Sequence, residues 1–226
     1  MDLHAKQHSN DERMDHDAEL KARNAASLAH ASAMRFSTCY SGIKVVRGSL
    51  TEQGADCVVN AANEGLQGGG GVDCLLHNIA SNNDHDSAFC PLCAECRMRY
   101  PADAIGARLH TGNAAVTSAY NLPGARFIVH TVGPYLDEKG LPQPALLASC
   151  YKNSLAAAKA VGATSIAFPT ISTGYYGYPM LEAGQVAIQA VTEFFASPAG
   201  AGWSVPVYLT AFSSLNAEIL EALLPP

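Results

Sequence analysis

The sequence predicts an α/β sandwich with helices on both faces of a mostly parallel sheet. Three observations carry this expectation. Short runs of the chain are near-continuously apolar, as strands buried on both faces must be. Helix-periodic segments alternate with these runs, the order that builds parallel crossovers. Glycine-rich stretches follow two of the runs, and open α/β sheets bind their ligands beyond the carboxyl ends of strands.

Taken in order, "IKVVRG" from residue 43 is the first strand and "ADCVVNAA" the second. The glycines 68–71 open a helix whose apolar positions Val72, Leu75, Leu76 and Ile79 are helix-periodic. Residues 81–111 read as a long irregular connection holding a short helix around Cys93–Tyr100. "NAAVTSA" and "RFIVHTV" are two further strands, and "QPALLASCYKNSLAAAKAVGA" is a helix stopped by Gly162. "TSIAFPT" is a strand, "PMLEAGQVAIQAVTEFFAS" a helix with Pro179 suited to its first turn, and "VPVYLTAF" the last strand. "SSLNAEILEALL" closes the chain as a helix, with Ser213 or Ser214 as its N-cap. Residues 1–41 form a polar arm holding four of the eight histidines, without metal-ligand spacing. Within the arm, "AELKARNAASLAHASAM" is rich in helix formers, so either a flexible arm or a helix packed on the domain edge is expected. The domain proper then spans residues 42–226, with an insertion around 81–111.

At 226 residues and 48% hydrophobic, the chain can bury one sizeable core. A formal charge of −6 offers no basic excess, so nucleic acid is not an expected partner. No apolar run reaches membrane-span length, and the acid-rich start lacks an apolar targeting core. No membrane partner is expected, and the expected address is cytosol or nucleus. Seven cysteines, an odd number without a secretion signal, are expected as reduced thiols. Three of them, Cys90, Cys93 and Cys96, form "CPLCAEC". That run invites a zinc reading with His85 or His110 as a fourth ligand, but it lacks a second CxxC pair, and free thiols with no metal are the expectation.

The loops carry the chemistry. A glycine run entering a helix presents bare N–H groups and the positive end of the helix dipole, which favour an anion. "GGGGVD" has that context and matches neither a Walker A nor a dinucleotide fingerprint. "ISTGYYGYP" is a second small-residue loop leading into a helix, so the two loops can clamp a diphosphate from two sides. Asp73 and His77 stand at i and i+4, about 5–6 Å apart on one helix face.

"VVNAANEGLQGGGGVD", "YNLPGARFIVHTVGP" and "IAFPTISTGYYGYP", in that order, resemble the macrodomain family, in particular its MacroD-type ADP-ribosyl hydrolases. The resemblance runs from about Ile43 to Leu224. It implies a three-layer α/β/α sandwich with a mostly parallel mixed sheet, binding ADP-ribose and ADP-ribosylated proteins. It implies no cofactor, and the chain is expected to act as a monomer. By the same resemblance, Asn63 bonds the distal ribose, while Gly68, Gly69, Gly70, Gly71 and Val72 lie against that ribose and the diphosphate. Ser172, Thr173, Gly174, Tyr175, Tyr176 and Gly177 form the second diphosphate loop, with Tyr176 packing near the distal ribose. Asp73 is then the catalytic carboxylate, orienting a water toward the anomeric carbon and stabilising positive charge there, with His77 orienting or assisting it and Asn63 in the same catalytic set. Asn60 is expected to cap the loop through backbone groups.

One position departs from the family pattern. Its Gly-Asp-Ile-Thr motif reads "GSLT" here, which puts Ser49 where an aspartate binds the adenine amino group. A hydroxyl lacks the charge-assisted strength of a carboxylate, although the Leu50 N–H is still available. Phe212 is the candidate aromatic against adenine. The implied activity is removal of mono-ADP-ribose from acidic side chains, or deacetylation of O-acetyl-ADP-ribose. The alternative is a non-catalytic reader of ADP-ribosylated proteins, which needs Asn63 and both loops but not the Asp73–His77 pair.

Overall fold

A computed structural model describes residues 19, 21–82 and 90–226. The apolar runs form β1 (Ile43–Arg47), β2 (Cys57–Ala62), β3 (Ala114–Ser118), β4 (Phe127–Val132), β5 (Ile166–Pro169) and β6 (Val207–Ala211). They make one sheet in the order β1-β6-β5-β2-β4-β3. Every neighbouring pair is parallel except β3 with β4. The helices are α1 (residues 21–33), α2 (Val72–Ala80), α3 (Pro91–Arg99), α4 (Pro144–Ala160), α5 (Met180–Ala196) and α6 (Ser214–Leu223).

Strand side chains alternate between two cores. Cys57 and Val59 of β2 join the core with residues of α1, α4, α5 and α6, while Val58 and Ala62 join the core with residues of α2 and α3. Both faces are covered, which is why the strands read as continuous apolar runs. The same alternation sends Asn60 to the α2 side, where it becomes part of the site.

Local chemistry sets the helix ends. Gly162, at φ +67°, closes α4: its N–H reaches Lys159 O at 3.0 Å, and the Ala163 N–H reaches Ala158 O at 3.0 Å. Ser213 rather than Ser214 caps α6, accepting from Asn216 N at 3.2 Å. Pro179 is the N-cap of α5 rather than a member of its first turn. The short helix of the insertion starts earlier than its sequence predicts, at Pro91, because Cys90 caps it by accepting from Cys93 N at 3.3 Å.

Of the two expectations for the arm, α1 meets the packed one. Ala31 is fully buried, and Leu28, Phe36 and Tyr40 pack on the core shared with α5 and α6. The Phe36 N–H donates to Leu223 O at 2.9 Å, and the Tyr40 ring stacks on Phe195 with centroids 3.7 Å apart. Packed structure therefore continues across residue 41. Residues 1–18, and His85 with its proposed ligand role, lie outside the described residues.

Candidate functional site

A cleft of about 1030 Å³ opens where the parallel strands end. Its walls are the segments that follow β1 (Ser49, Leu50), β2 (Asn63, Gly70–Asp73), β4 (Gly133, Tyr135), β5 (Thr170, Ser172–Tyr176) and β6 (Phe212, Ser213, Asn216). Five chain segments thus meet at one edge of the sheet, the place a parallel topology reserves for ligands.

Asp73 stands in the first turn of α2, on the cleft wall but only 2% exposed. Its Oδ1 accepts a hydrogen bond from Asn60 Nδ2 at 2.6 Å. Its Oδ2 has no hydrogen-bond partner among the described residues. A carboxylate only accepts, so this contact fixes which way the Asn60 amide faces. The amide nitrogen also lies 3.1 Å from His130 Nδ1, whose ring therefore accepts there and carries its proton on Nε2, 2.9 Å from Thr117 Oγ1. Full burial, and then the charge of His77, push the His130 imidazole down to about 4, so it is neutral. Asp73, Asn60, His130 and Thr117 form one buried chain that leaves a single carboxylate oxygen uncommitted. Asn60 is thus a side-chain brace for Asp73 and not the backbone cap its sequence context predicts.

His77 stands one helical turn after Asp73 on α2. It lies behind Asp73, 6% exposed, and does not line the cleft. Its Nε2 is 3.3 Å from Asp73 Oδ1, an ion-pair separation whose angle falls outside a hydrogen bond. Its Nδ1 faces Cys93 Sγ at 3.2 Å and Cys90 Sγ at 3.5 Å. Burial by itself lowers the imidazole pKa, yet the Asp73 carboxylate and the two sulfurs outweigh it and raise it to about 10. With Asp73 between it and the cleft, its ring faces the carboxylate and not the ligand space.

The glycine run divides its work. Gly68 turns back, and a side chain there would meet the His77 ring at 3.5 Å. At Gly69 a Cβ would press on Asn63 Nδ2 at 2.9 Å and Asp73 Oδ2 at 3.0 Å. Neither residue lines the cleft, whereas Gly70, Gly71 and Val72 do. Gly71 is the N-cap of α2 at φ +62°, ψ −131°, with no side-chain cap, so the first amides of α2 remain available to an anion. Asn63 lines the cleft, but both ends of its amide brace the loop: Nδ2 donates to Gly68 O at 2.9 Å, and Oδ1 accepts from Gly65 N at 3.0 Å.

The second loop is held by its own turns. Thr173 Oγ1 donates to Thr170 O at 2.9 Å, the Gly177 N–H to Gly174 O at 2.9 Å, and the Tyr178 N–H to Ser172 O at 3.0 Å. Gly177 serves this turn at φ +70° and does not reach the cleft as expected. Among the described residues, the N–H groups of Gly174, Tyr175 and Tyr176 have no protein acceptor. Ser172 is buried at φ +66° directly against Gly133, where any Cβ would overlap its hydroxyl. Two sets of free amides, one from each loop, therefore line one cleft.

On the segment after β1, Ser49 caps a turn of 3-10 helix (Leu50–Glu52), its Oγ accepting from Thr51 N at 3.4 Å. Phe212 also lines the cleft and is 88% exposed. Tyr135 stacks on Tyr176 with centroids 3.6 Å apart. Sequence reasoning missed Tyr135, His130 and the tie of Asn60 to Asp73. Tyr135 follows a strand, the one signal that points to it, while Asn60 and His130 sit inside strands and give none.

The macro domain family profile matches residues 59–187. The O-acetyl-ADP-ribose deacetylase of Escherichia coli K12 is 38% identical over 80% of this chain and 94% of its own length. A macro domain-containing protein of Streptomyces coelicolor is 44% identical over 66% of this chain and 82% of its own. The Oceanobacillus iheyensis macrodomain with ADP superposes with a TM-score of 0.66 at 36% identity, covering 79% of this chain and 87% of that one. The Trypanosoma brucei macrodomain in complex with ADP-ribose gives 0.64 at 31%, covering 80% and 68%. With its parallel-edged cleft, its two amide loops and more than half its length matched, this chain belongs to the macro domain family.

Proposed function

We propose that this protein binds ADP-ribose derivatives in the cleft and hydrolyses the bond to the distal ribose. The substrates are mono-ADP-ribose esters on acidic protein side chains and O-acetyl-ADP-ribose. Support comes from relatives whose names describe that deacetylation, and from macrodomain structures that hold ADP or ADP-ribose. The observation that carries the reading is Asp73: a buried carboxylate at the cleft wall, fixed through Oδ1 and free at Oδ2.

The roles follow from that geometry. The amides at Gly70–Val72 and Gly174–Tyr176 hold the diphosphate from two sides. The distal ribose then lies over the head of α2. On a Glu- or Asp-linked ADP-ribose, Asp73 Oδ2 accepts a hydrogen bond from the attacking water and stabilises positive charge at the anomeric carbon as the side-chain carboxylate leaves. On O-acetyl-ADP-ribose the same oxygen directs the water to the acetyl carbonyl, and acetate and the ribose hydroxyl are released. Asn60, oriented by neutral His130, keeps the carboxylate from rotating, so its free oxygen is preorganised.

The test is Asp73→Asn, which keeps the shape and removes the charge. Release of ADP-ribose from a Glu-linked mono-ADP-ribosylated protein should fall by about 10²–10⁴-fold. Calorimetric binding of free ADP-ribose should be retained. Unchanged release would remove Asp73 from the chemistry. Binding by the wild type without any release would make the protein a reader.

A further inference from the structure

We propose that His77, Cys90 and Cys93 form a buried zinc site behind the proposed catalytic carboxylate, joining α2 to α3. Their ligand atoms all lie within 4.8 Å of one another, and all three residues are buried. With Zn–N bonds of about 2.0–2.1 Å and Zn–S bonds of about 2.3 Å at the tetrahedral angle, an N···S edge measures about 3.6 Å. The Nδ1···Sγ separations of 3.5 Å to Cys90 and 3.2 Å to Cys93 lie at or just inside that edge. A small rotation of the Cys93 side chain admits the ion. Two sulfurs and one imidazole are a donor set that selects a thiophilic ion over magnesium or calcium.

The surroundings are those of a ligand set. Cys90 caps α3, a nine-residue helix, and accepts from Cys93 N at 3.3 Å, so amide and helix dipole both favour its thiolate. Two thiolates buried together would be costly, and a divalent cation neutralises both. The second nitrogen of His77 lies 3.3 Å from Asp73 Oδ1, the carboxylate placed to orient the imidazole once a metal holds it. Nδ1 on the metal would fix the proton on Nε2, toward Asp73. The metal would thus act on the site as a positioning device, outside the cleft.

The ligand set differs from the one that sequence spacing offers. Cys96 lies outside the cluster, its sulfur 3.9 Å from His130 Nε2. His110 pairs with Asp103 at 2.9 Å. The missing donor was His77, thirteen residues before Cys90 and on another helix. The three described donors need one further small ligand to complete a four-coordinate shell.

Metal content tests this without substrate, so its failure is separate from failure of the hydrolase reading. The whole chain, purified without chelator, should carry about one equivalent of zinc. Cobalt(II) added after zinc removal should give thiolate-to-metal charge-transfer absorption. Cys93→Ser should lose both signals, and Cys96→Ser, in the same run but outside the ligand set, should keep them. Because a buried substitution can impair folding, alkylation of the wild type supplies a second measurement. Zinc should protect Cys90 and Cys93, with exposed Cys74 labelled equally throughout. Zinc well below one equivalent with no cobalt absorption would overturn the proposal, as would metal retained by Cys93→Ser or labelling of Cys90 and Cys93 that ignores zinc.

Discussion

Asp73 and Ser49 both line the cleft, and each depends on its immediate neighbours. Asp73 draws its direction from Asn60, thirteen residues away, and its open oxygen from the missing side chain at Gly69. Ser49 spends its hydroxyl on Thr51 in a local cap, with Glu52 Oε2 3.3 Å from its own N–H. A serine so engaged offers a ligand less than a carboxylate does. Ser49→Asp should keep the cap, since aspartate also caps well, and add a charge-assisted acceptor. At about 1.5–3 kcal/mol for a hydrogen bond to a charged group, ADP-ribose should bind about tenfold tighter or more. The hypoxanthine analogue, which lacks the amino group, should not share that gain. Calorimetry with both nucleotides reads the difference, and an equal change for the two would end the adenine assignment of this position.

At the scale of elements, the arm belongs to the fold although its polar sequence gives little sign of it. Tyr40 is the anchor. Its hydroxyl donates to Val205 O at 3.0 Å and accepts from Val205 N at 2.9 Å, while its ring stacks on Phe195. Val205 is buried, so removing the hydroxyl strands a backbone N–H. Tyr40→Phe should keep the stacking and cost about 1–3 kcal/mol. A lowered urea midpoint with an unchanged slope would report it, and an unchanged midpoint would mean that the arm docks through its apolar contacts alone.

Across the whole molecule, one ion pair ties the sheet together at the end opposite the cleft. Asp56, just before β2, accepts from Arg126 Nε and Nη2 at 2.6 Å each, just before β4. It also accepts from Thr164 N at 2.8 Å, just before β5. The Arg126 hydrogen bonds, opposed by burial and helped by Thr164, lower the Asp56 pKa to about 2. A carboxyl depressed in the folded state stabilises it fully above its unfolded value near 3.8 and loses that contribution as pH falls through about 2. With the exposed side of Arg126 screened, the contribution is about 1–2 kcal/mol. The melting temperature should fall between pH 4 and pH 2, and Asp56→Asn should flatten that fall while lowering stability at pH 7. A wild-type slope identical to the variant's would remove the clamp from the acid response.

All six strands were legible in the sequence because a strand covered on both faces is apolar at most of its positions, a pattern local to a few residues. The glycine loop at the head of α2 was legible for the same reason, since an anion-binding helix start is written in consecutive residues. Asp73 stands in that helix start and Tyr176 was named by the resemblance of its loop to the family's, and both line the cleft. What the sequence could not yield is contact between distant segments. Asn60 and His130 are polar residues within apolar strands, and only the pairing of β2 with β4 sets them side by side as partners across the sheet. His77 shares a helix face with Asp73 by its spacing, but only the packing of α3 on α2 turns its other nitrogen toward two cysteines. Fold class, strand order of appearance and the ligand-facing loops follow from hydrophobic period and turn chemistry, which act locally. The direction of a carboxylate, the protonation of a buried histidine and the grouping of ligands depend on groups far apart in the chain, and the tertiary structure alone decides them.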